Sequence, residues 1–408
     1  MCRLSLLLVS GLSAVIAAAP AFAASSWQLA EAVDARAVQP AARVARRVSM
    51  AADWDVQAQT SLTIDLGART VSATRSAYQR RRDGWTWQGW LDAAPDHTLS
   101  LTMHRGVLAG LIDAPEGRYE IVPLPAGGSA LVDLDGTAFP DCGGGLARDA
   151  LARHPARPAA SLPPLAVPAR PAAAGQPIDV LIVYSPQVLE AMGSVANVEA
   201  QAQAAVDLAN LTFANSDMGA RFELAAVRAF PRDELDVFDL EWLRIDPVAI
   251  AMRDEVGADL ASLWVERSLG NCGAGFIMDR LDAGFAGDAV QITLRMCAIG
   301  NLVYVHEHGH NMGMQHDPLY GVPPAQALFP WAFGHYVDHA FTTVMSYPYA
   351  CAGDCFRVPH FSNPDVAYLG VPTGLADSRD NHRVGDLTAP IVAGFRPRQG
   401  PIFADGFD

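Results

Sequence analysis

Apolar and polar positions follow different rhythms in the two parts of this chain. From Ser61 to Leu124 they alternate with the two-residue period of an extended strand. Leu62, Ile64 and Leu66 share one face of such a segment, and Trp85 and Trp87 share a face of another. Turn signals recur at Asp65-Leu66-Gly67, Asp83-Gly84, Arg105-Gly106 and Glu116-Gly117. Short strands so spaced predict an antiparallel sheet. Trp85, Trp87 and Trp90 could form a carbohydrate-binding face, but aromatic residues favour strands and packing is the preferred reading. Residues 24–60, Ala-rich with scattered Arg, give only a weak helical signal.

Beyond Ile178 the rhythm changes. Ile178–Tyr184 is a continuous apolar run suited to a buried strand. Val195–Phe213 has helical spacing, with Val198, Ala202, Ala205, Val206, Ala209 and Phe213 near one side. Phe222–Phe230 and Leu260–Val265 are strand-like, as are Gly273–Met278 and Val290–Met296. Leu240–Val256 predicts a helix interrupted at Pro247. Alternating strands and helices predict an α/β layer around a mostly parallel sheet. Asn301–Met312 follows as a helix with Asn301 as its N-cap. From Gly313 to about Phe395 the chain is loop-rich, with one or two further helices, and no internal repeat is evident.

Between the two parts, residues 141–176 are rich in Gly, Ala and Pro and predict a linker. It contains Arg153, Arg157 and Arg170, which a protease could reach. At the N-terminus, Met1-Cys2-Arg3 precedes an apolar run and then Ala21-Phe22-Ala23, the pattern of a cleavable export signal over residues 1–23. The expected location is therefore outside the cytoplasm, secreted or periplasmic. That compartment permits disulfides. Five cysteines remain after the signal: Cys142, Cys272, Cys297, Cys351 and Cys355. The four in the C-terminal half allow three pairings, among which Cys272–Cys297 and Cys351–Cys355 are the local ones.

Charge is uneven. Ser25–Gln176 carries 15 acidic residues and 15 Arg, whereas Pro177–Asp408 carries 29 and 13. There is no lysine. So acidic a C-terminal part argues against non-specific binding to nucleic acid or anionic membrane, and no stable membrane association is expected.

The chemistry concentrates in residues 306–317, HEHGHNMGMQHD. His306 and His310 lie four apart, on one face of a helix, where two imidazoles can hold one metal ion. Gly313 permits a sharp turn that returns His316 as a third nitrogen ligand. Three protein ligands with an open position describe a catalytic Zn²⁺ site. Glu307 stands next to the first ligand, placed to take a proton from a metal-activated water. His308 falls about 200° around the helix from His306 and is not expected to ligate.

This extended motif, with Asp317 after the third His and Thr343-Val344-Met345-Ser346-Tyr347 downstream, resembles the metzincin zinc endopeptidases, in particular their adamalysin or reprolysin-like branch. The resemblance implies a Met-turn in which Met345 supports the histidines from beneath without ligating. It also implies that the segment from Asn271-Cys272-Gly273 is a cleft-edge strand to which an extended substrate adds. Phe361-Ser362-Asn363-Pro364 and Gly370–Gly374 are similar to the C-terminal subdomain of bacterial members, and residues 85–121 to their propeptide.

The expected organisation is thus a signal (1–23), a β-rich propeptide (24–140), a linker (141–176), a metzincin-type α/β catalytic domain with a small loop-rich C-terminal subdomain (177–397) and a tail (398–408). The expected function is a secreted, monomeric endopeptidase acting on proteins or peptides, with one catalytic Zn²⁺ and Glu307 as general base. Nothing in the sequence assigns a structural Ca²⁺. Cys142, in a Gly-rich context ahead of the linker, is expected to fill the open metal position in a latent zymogen, resembling a cysteine switch. A binding protein without catalysis, or a hydrolase of non-protein amides, are the competing readings.

Overall fold

The computed structural model describes residues 27–50, 55–140, 175–235, 238–267, 270–353 and 355–399. The expected signal, Cys142, nearly all of the linker and the end of the tail lie outside the described residues.

The first part is a nine-stranded antiparallel sheet. In chain order its elements are β1 (Trp27–Ala32), α1 (Ala35–Val38), β2 (Ala42–Met50), β3 (Ser61–Asp65), β4 (Thr70–Arg81), β5 (Gly84–Leu91), β6 (Ala94–His104), β7 (Val107–Ala114), β8 (Gly117–Pro123) and β9 (Ser129–Leu134). The strands lie in the order β1-β2-β9-β8-β7-β6-β5-β4-β3. The sheet curls until its edges approach, and Trp27 Nε1 donates to Asp65 O at 3.0 Å. Inside the curl, Trp27, Leu62, Ile64, Trp87, Leu101, Ile112 and Ile121 form one core. Alternation sends their neighbours Leu111, Val122 and Val132 to the opposite face. Trp85 and Trp87 pack on the inner core, while Trp90 stays 37% exposed.

Residues 27–50 correct the helical expectation. Only α1 is helical, and β1 and β2 extend the sheet beyond β9. Arg43, Arg46 and Arg47 hide the alternation. Arg43 and Arg47 reach sideways to Asp133 and Glu31, so their positions are filled by long solvent-facing side chains.

The second part holds a five-stranded sheet in the order β11-β10-β12-β14-β13. Its elements are β10 (Ile178–Tyr184), α2 (Pro186–Met192), α3 (Val195–Asn215), β11 (Phe222–Ala229), α4 (Phe238–Ile245), α5 (Pro247–Glu255), β12 (Leu260–Val265), β13 (Gly273–Gly275), β14 (Val290–Leu294), α6 (Val303–Asn311) and, after a loop-rich stretch with two small β-ribbons, α7 (Asn381–Val392). Strands β11, β10, β12 and β14 are parallel, and β13 runs antiparallel at the edge. β10 is buried at every position, which explains its unbroken apolar run. Pro247 divides the predicted 240–256 helix, as expected, and Asp246 caps the second segment by accepting from Val248 N at 2.8 Å.

The helix over 301–312 starts later than predicted. Asn301 is not its N-cap. Leu302 occupies that position in the left-handed region at φ 56°, with no side-chain cap. Asn301 instead places its carbonyl under Arg357 Nη1 at 2.9 Å.

Candidate metal centre

Helix α6 carries His306 and His310 one turn apart, buried to 0% and 2% exposure. The helix ends in a tight reversal: Met314 N donates to Gly309 O at 3.0 Å, and Gly313 adopts φ +90°. A side chain at Gly313 would also meet Leu328 Cδ2 at 2.6 Å. The reversal returns His316 to the other two. His310 Nε2 lies 3.0 Å from His316 Nε2, which lies 3.2 Å from His306 Nε2.

The far nitrogens are engaged. His306 Nδ1 is 2.7 Å from Val344 O, and His310 Nδ1 is 2.8 Å from Met314 O. A carbonyl only accepts, so each Nδ1 carries the proton and each Nε2 presents a bare lone pair. Burial, with the Arg357 charge adding to it, holds His306 well below its ordinary range, and burial brings His310 down to about 4. His306 and His310 are thus neutral, and each turns an Nε2 lone pair toward His316 Nε2, an arrangement that suits a cation held in common. Among the described residues, His306, His310 and His316 form the one group of this kind.

The supporting contacts are equally local. Met345 is fully buried beneath α6, and a Cβ at Gly309 would meet its Sδ at 2.5 Å. Asp317 ties the third histidine's loop to the Met345 turn: Ser346 Oγ donates to Asp317 Oδ2 at 2.9 Å and Tyr347 N to the same oxygen at 3.3 Å. The Tyr347 ring centroid lies 4.4 Å from that of His316. Glu307 is 2% exposed, and burial raises it to about 8, with Arg357 opposing the rise. Edge strand β13 runs alongside. A Cβ at Gly273 would meet Glu307 Oε1 at 2.9 Å, and one at Gly275 would meet Glu307 O at 2.9 Å. Only glycine lets that edge approach the helix so closely.

His308 points away, as its angle predicts. Its Nδ1 is 3.1 Å from Asn311 Oδ1, and its ring packs edge-on against Tyr304 and Phe222. Cys272 is joined to Cys297, beside β13, and Cys351 to Cys355. Cys142 lies outside the described residues. Two contributors carry no motif signal. Arg357, 1% exposed, donates to Ser346 O and Asn301 O, so one guanidinium holds both the Met345 turn and the approach to α6. Asn311 Nδ2 donates to Phe276 O and Val290 O, fastening α6 to the sheet edge. Asn311 sits inside the motif at a position the motif leaves unspecified, and Arg357 has no sequence mark at all.

Comparison with known proteins agrees with this geometry. The chain is 27% identical over 389 residues to a peptidyl-Asp metalloendopeptidase of Xanthomonas campestris pv. campestris, covering 88% of this chain and 87% of that one. It is 27% identical over 381 residues to the protein of that name from Stenotrophomonas maltophilia, covering 84% and 85%. A third such protein, from Pseudomonas aeruginosa, is 29% identical over 269 residues, covering 58% of this chain and 43% of that one. Residues 175–378, which include the three histidines and Met345, match the metallo-peptidase family M12B, reprolysin-like. The chain belongs to the reprolysin-like metallopeptidases of family M12B.

Proposed function

We propose that this metallopeptidase is an exported, zinc-dependent endopeptidase made as a latent precursor, and that it cuts proteins at aspartate. The observation that carries the zinc reading is the convergence of the three Nε2 atoms of His306, His310 and His316, with contacts of 3.0 and 3.2 Å, beside a buried glutamate. Zn²⁺ held by His306, His310 and His316 would polarise the scissile carbonyl and acidify the attacking water. Glu307, next to His306 on α6, would take the proton from that water and hand it to the leaving nitrogen. An extended substrate pairs with the outer edge of β13, which sets its carbonyl beside Glu307. The preference for aspartate is taken from the names of the relatives, which align over most of the chain.

The precursor reading rests on the signal-like residues 1–23, the N-terminal sheet as propeptide and Cys142 as temporary metal ligand. What supports the last is Phe139, which packs in one cluster with Cys272, Val303 and Tyr347. Val303 and Tyr347 flank Glu307 and His316 respectively.

The test is protein digestion by purified enzyme, with and without chelator, alongside Glu307→Gln. The variant should keep about one zinc per chain by elemental analysis and lose activity by a factor on the order of 10²–10⁴. Full activity in the variant, or activity indifferent to chelator, would overturn the reading. Peptide-library digestion shows whether aspartate marks the cut.

A further inference from the structure

The nine-stranded sheet and the catalytic unit share an interior. Ala109, Leu111, Val122, Ala130 and Val132 from the outer face of the sheet belong to the same apolar core as Val180, Leu208 and Tyr304. Helix α3 lies between them, against β6 and β7 on one side and β11 on the other. Its buried apolar residues, from Val198 and Ala202 to Ala204, Leu208 and Leu211, cover most of its circumference, and Glu199, Gln203, Asp207 and Asn210 make up one polar stripe. A helix apolar over so wide an arc needs cover on more than one side.

The polar contacts across this boundary are buried as well. Asp207 of α3, 2% exposed, receives Arg81, Thr86 and Thr102 from the sheet on its carboxylate, and Gln88 on its backbone oxygen at 2.8 Å. On its own side Gln203 Nε2 donates to that carboxylate at 3.1 Å. A second buried group centres on Arg118, 1% exposed. It pairs with Asp113 at 3.1 Å and donates to the carbonyls of Gly300 and Arg357, while Tyr368 OH donates to Asp113 at 3.2 Å. Gln39 bridges Glu120 and Met296 O, each at 2.9 Å. Separation would strand charges in the newly opened face, which is costly even where the intact pair contributes little. It would also expose the apolar side of α3 to water.

We infer that the N-terminal sheet stays bound to the catalytic unit after the chain is cut between Asp141 and Ala174, so that the working enzyme is a two-chain particle. The inference rests on the precursor reading only for the place of the cut. The reason to retain the sheet lies at the metal. The sheet holds Met296 and Gly300, just ahead of the strained Leu302 that begins α6, and it holds the carbonyl of Arg357, whose guanidinium supports Ser346 and Asn301. A Cβ at Gly300 would meet Glu120 Oε2 at 2.7 Å and Leu134 Cδ1 at 2.8 Å, so the segment is moulded to the sheet.

The test uses the full chain with the recognition sequence of an added protease placed in the 141–174 stretch. Glu307→Gln prevents self-digestion, and Cys142→Ala removes that thiol as a tether. After cutting, a non-reducing denaturing gel should show two bands. Gel filtration and native mass spectrometry should show one particle with the mass of the uncut chain. An N-terminal fragment eluting by itself at neutral pH overturns the inference. With the catalytic unit immobilised, Asp207→Asn combined with Arg81→Ala should release a labelled N-terminal fragment about tenfold faster or more. An unchanged release rate removes Asp207 as the anchor and overturns that part of the argument. In a parallel preparation keeping Glu307, peptidase activity should travel with the two-chain peak. Activity in no fraction would count against the endopeptidase reading and leave the association result standing.

Discussion

Gly309→Ala sets two effects of opposite sign against each other inside the metal helix. Alanine is the better helix former by about 1 kcal/mol, so helix propensity alone predicts stabilisation. The new Cβ, however, would stand 2.5 Å from Met345 Sδ and 3.3 Å from Phe361 Cε1. Ordinary contacts lie near 3.5–4 Å, so the sulfur must retreat by roughly 1 Å. Met345 and Phe361 are both fully buried, which leaves the sulfur no solvent to move into. Overpacking of this kind costs about 1–3 kcal/mol. The clash should win, with a net loss of up to about 2 kcal/mol. The displaced helix carries His306 and His310 on either side of the substitution, so zinc affinity should fall too, by about 10-fold. Urea unfolding of the metal-free protein measures the first effect, and competition with a chromophoric chelator measures the second. Met345→Ala opens the space, so the double variant should cost less than the sum of the singles by about 1–2 kcal/mol. If Gly309→Ala proves more stable than the parent and binds zinc equally well, Met345 does not support the helix in the way argued.

Three further outcomes follow from other contacts. Asp317→Ala removes the acceptor shared by Ser346 and Tyr347 and should weaken zinc binding by about tenfold while the secondary structure measured by circular dichroism is retained; unchanged affinity would count against the tie. Glu120 is raised by burial from 4.5 to about 7, so the folded state holds a proton that the unfolded state releases earlier. Its contribution is intact below about pH 4.5 and is lost as pH rises to about 7, a fall of up to about 3 kcal/mol that Glu120→Gln should abolish in urea titrations at pH 5 and 8. Cys142→Ala should make the precursor prematurely active on a protein substrate, and unchanged latency would refute the switch.

The metal site was legible because its determinants are local. A helix puts residues four apart on one face, and glycine permits the reversal that follows, so the spacing of His306, His310, Gly313 and His316 already implies the cluster. The same holds for β10 and for the alternating strands between Ser61 and Leu124, where periodicity reports which face is buried. The 27–50 segment was illegible because its arginines sit at strand positions facing solvent and break the alternation. The start of α6 was misplaced because Leu302 is held in a left-handed conformation by surrounding structure, against its own preference.

Arg357, Arg118 and Asp207 needed the tertiary fold. Each is one charged residue in an unremarkable stretch, and each acquires its role from partners far away in the chain, such as Arg81 for Asp207 and Gly300 for Arg118. No periodicity records a contact of that kind, because its partners are brought together only when two layers pack. The sequence by itself therefore determined the clustering of His306, His310 and His316, the neighbouring glutamate and the alternating strands, which depend on backbone geometry over a few residues. Only the tertiary structure decided that the N-terminal sheet and the catalytic unit share one core, because that outcome depends on which faces find each other and which charges are buried between them.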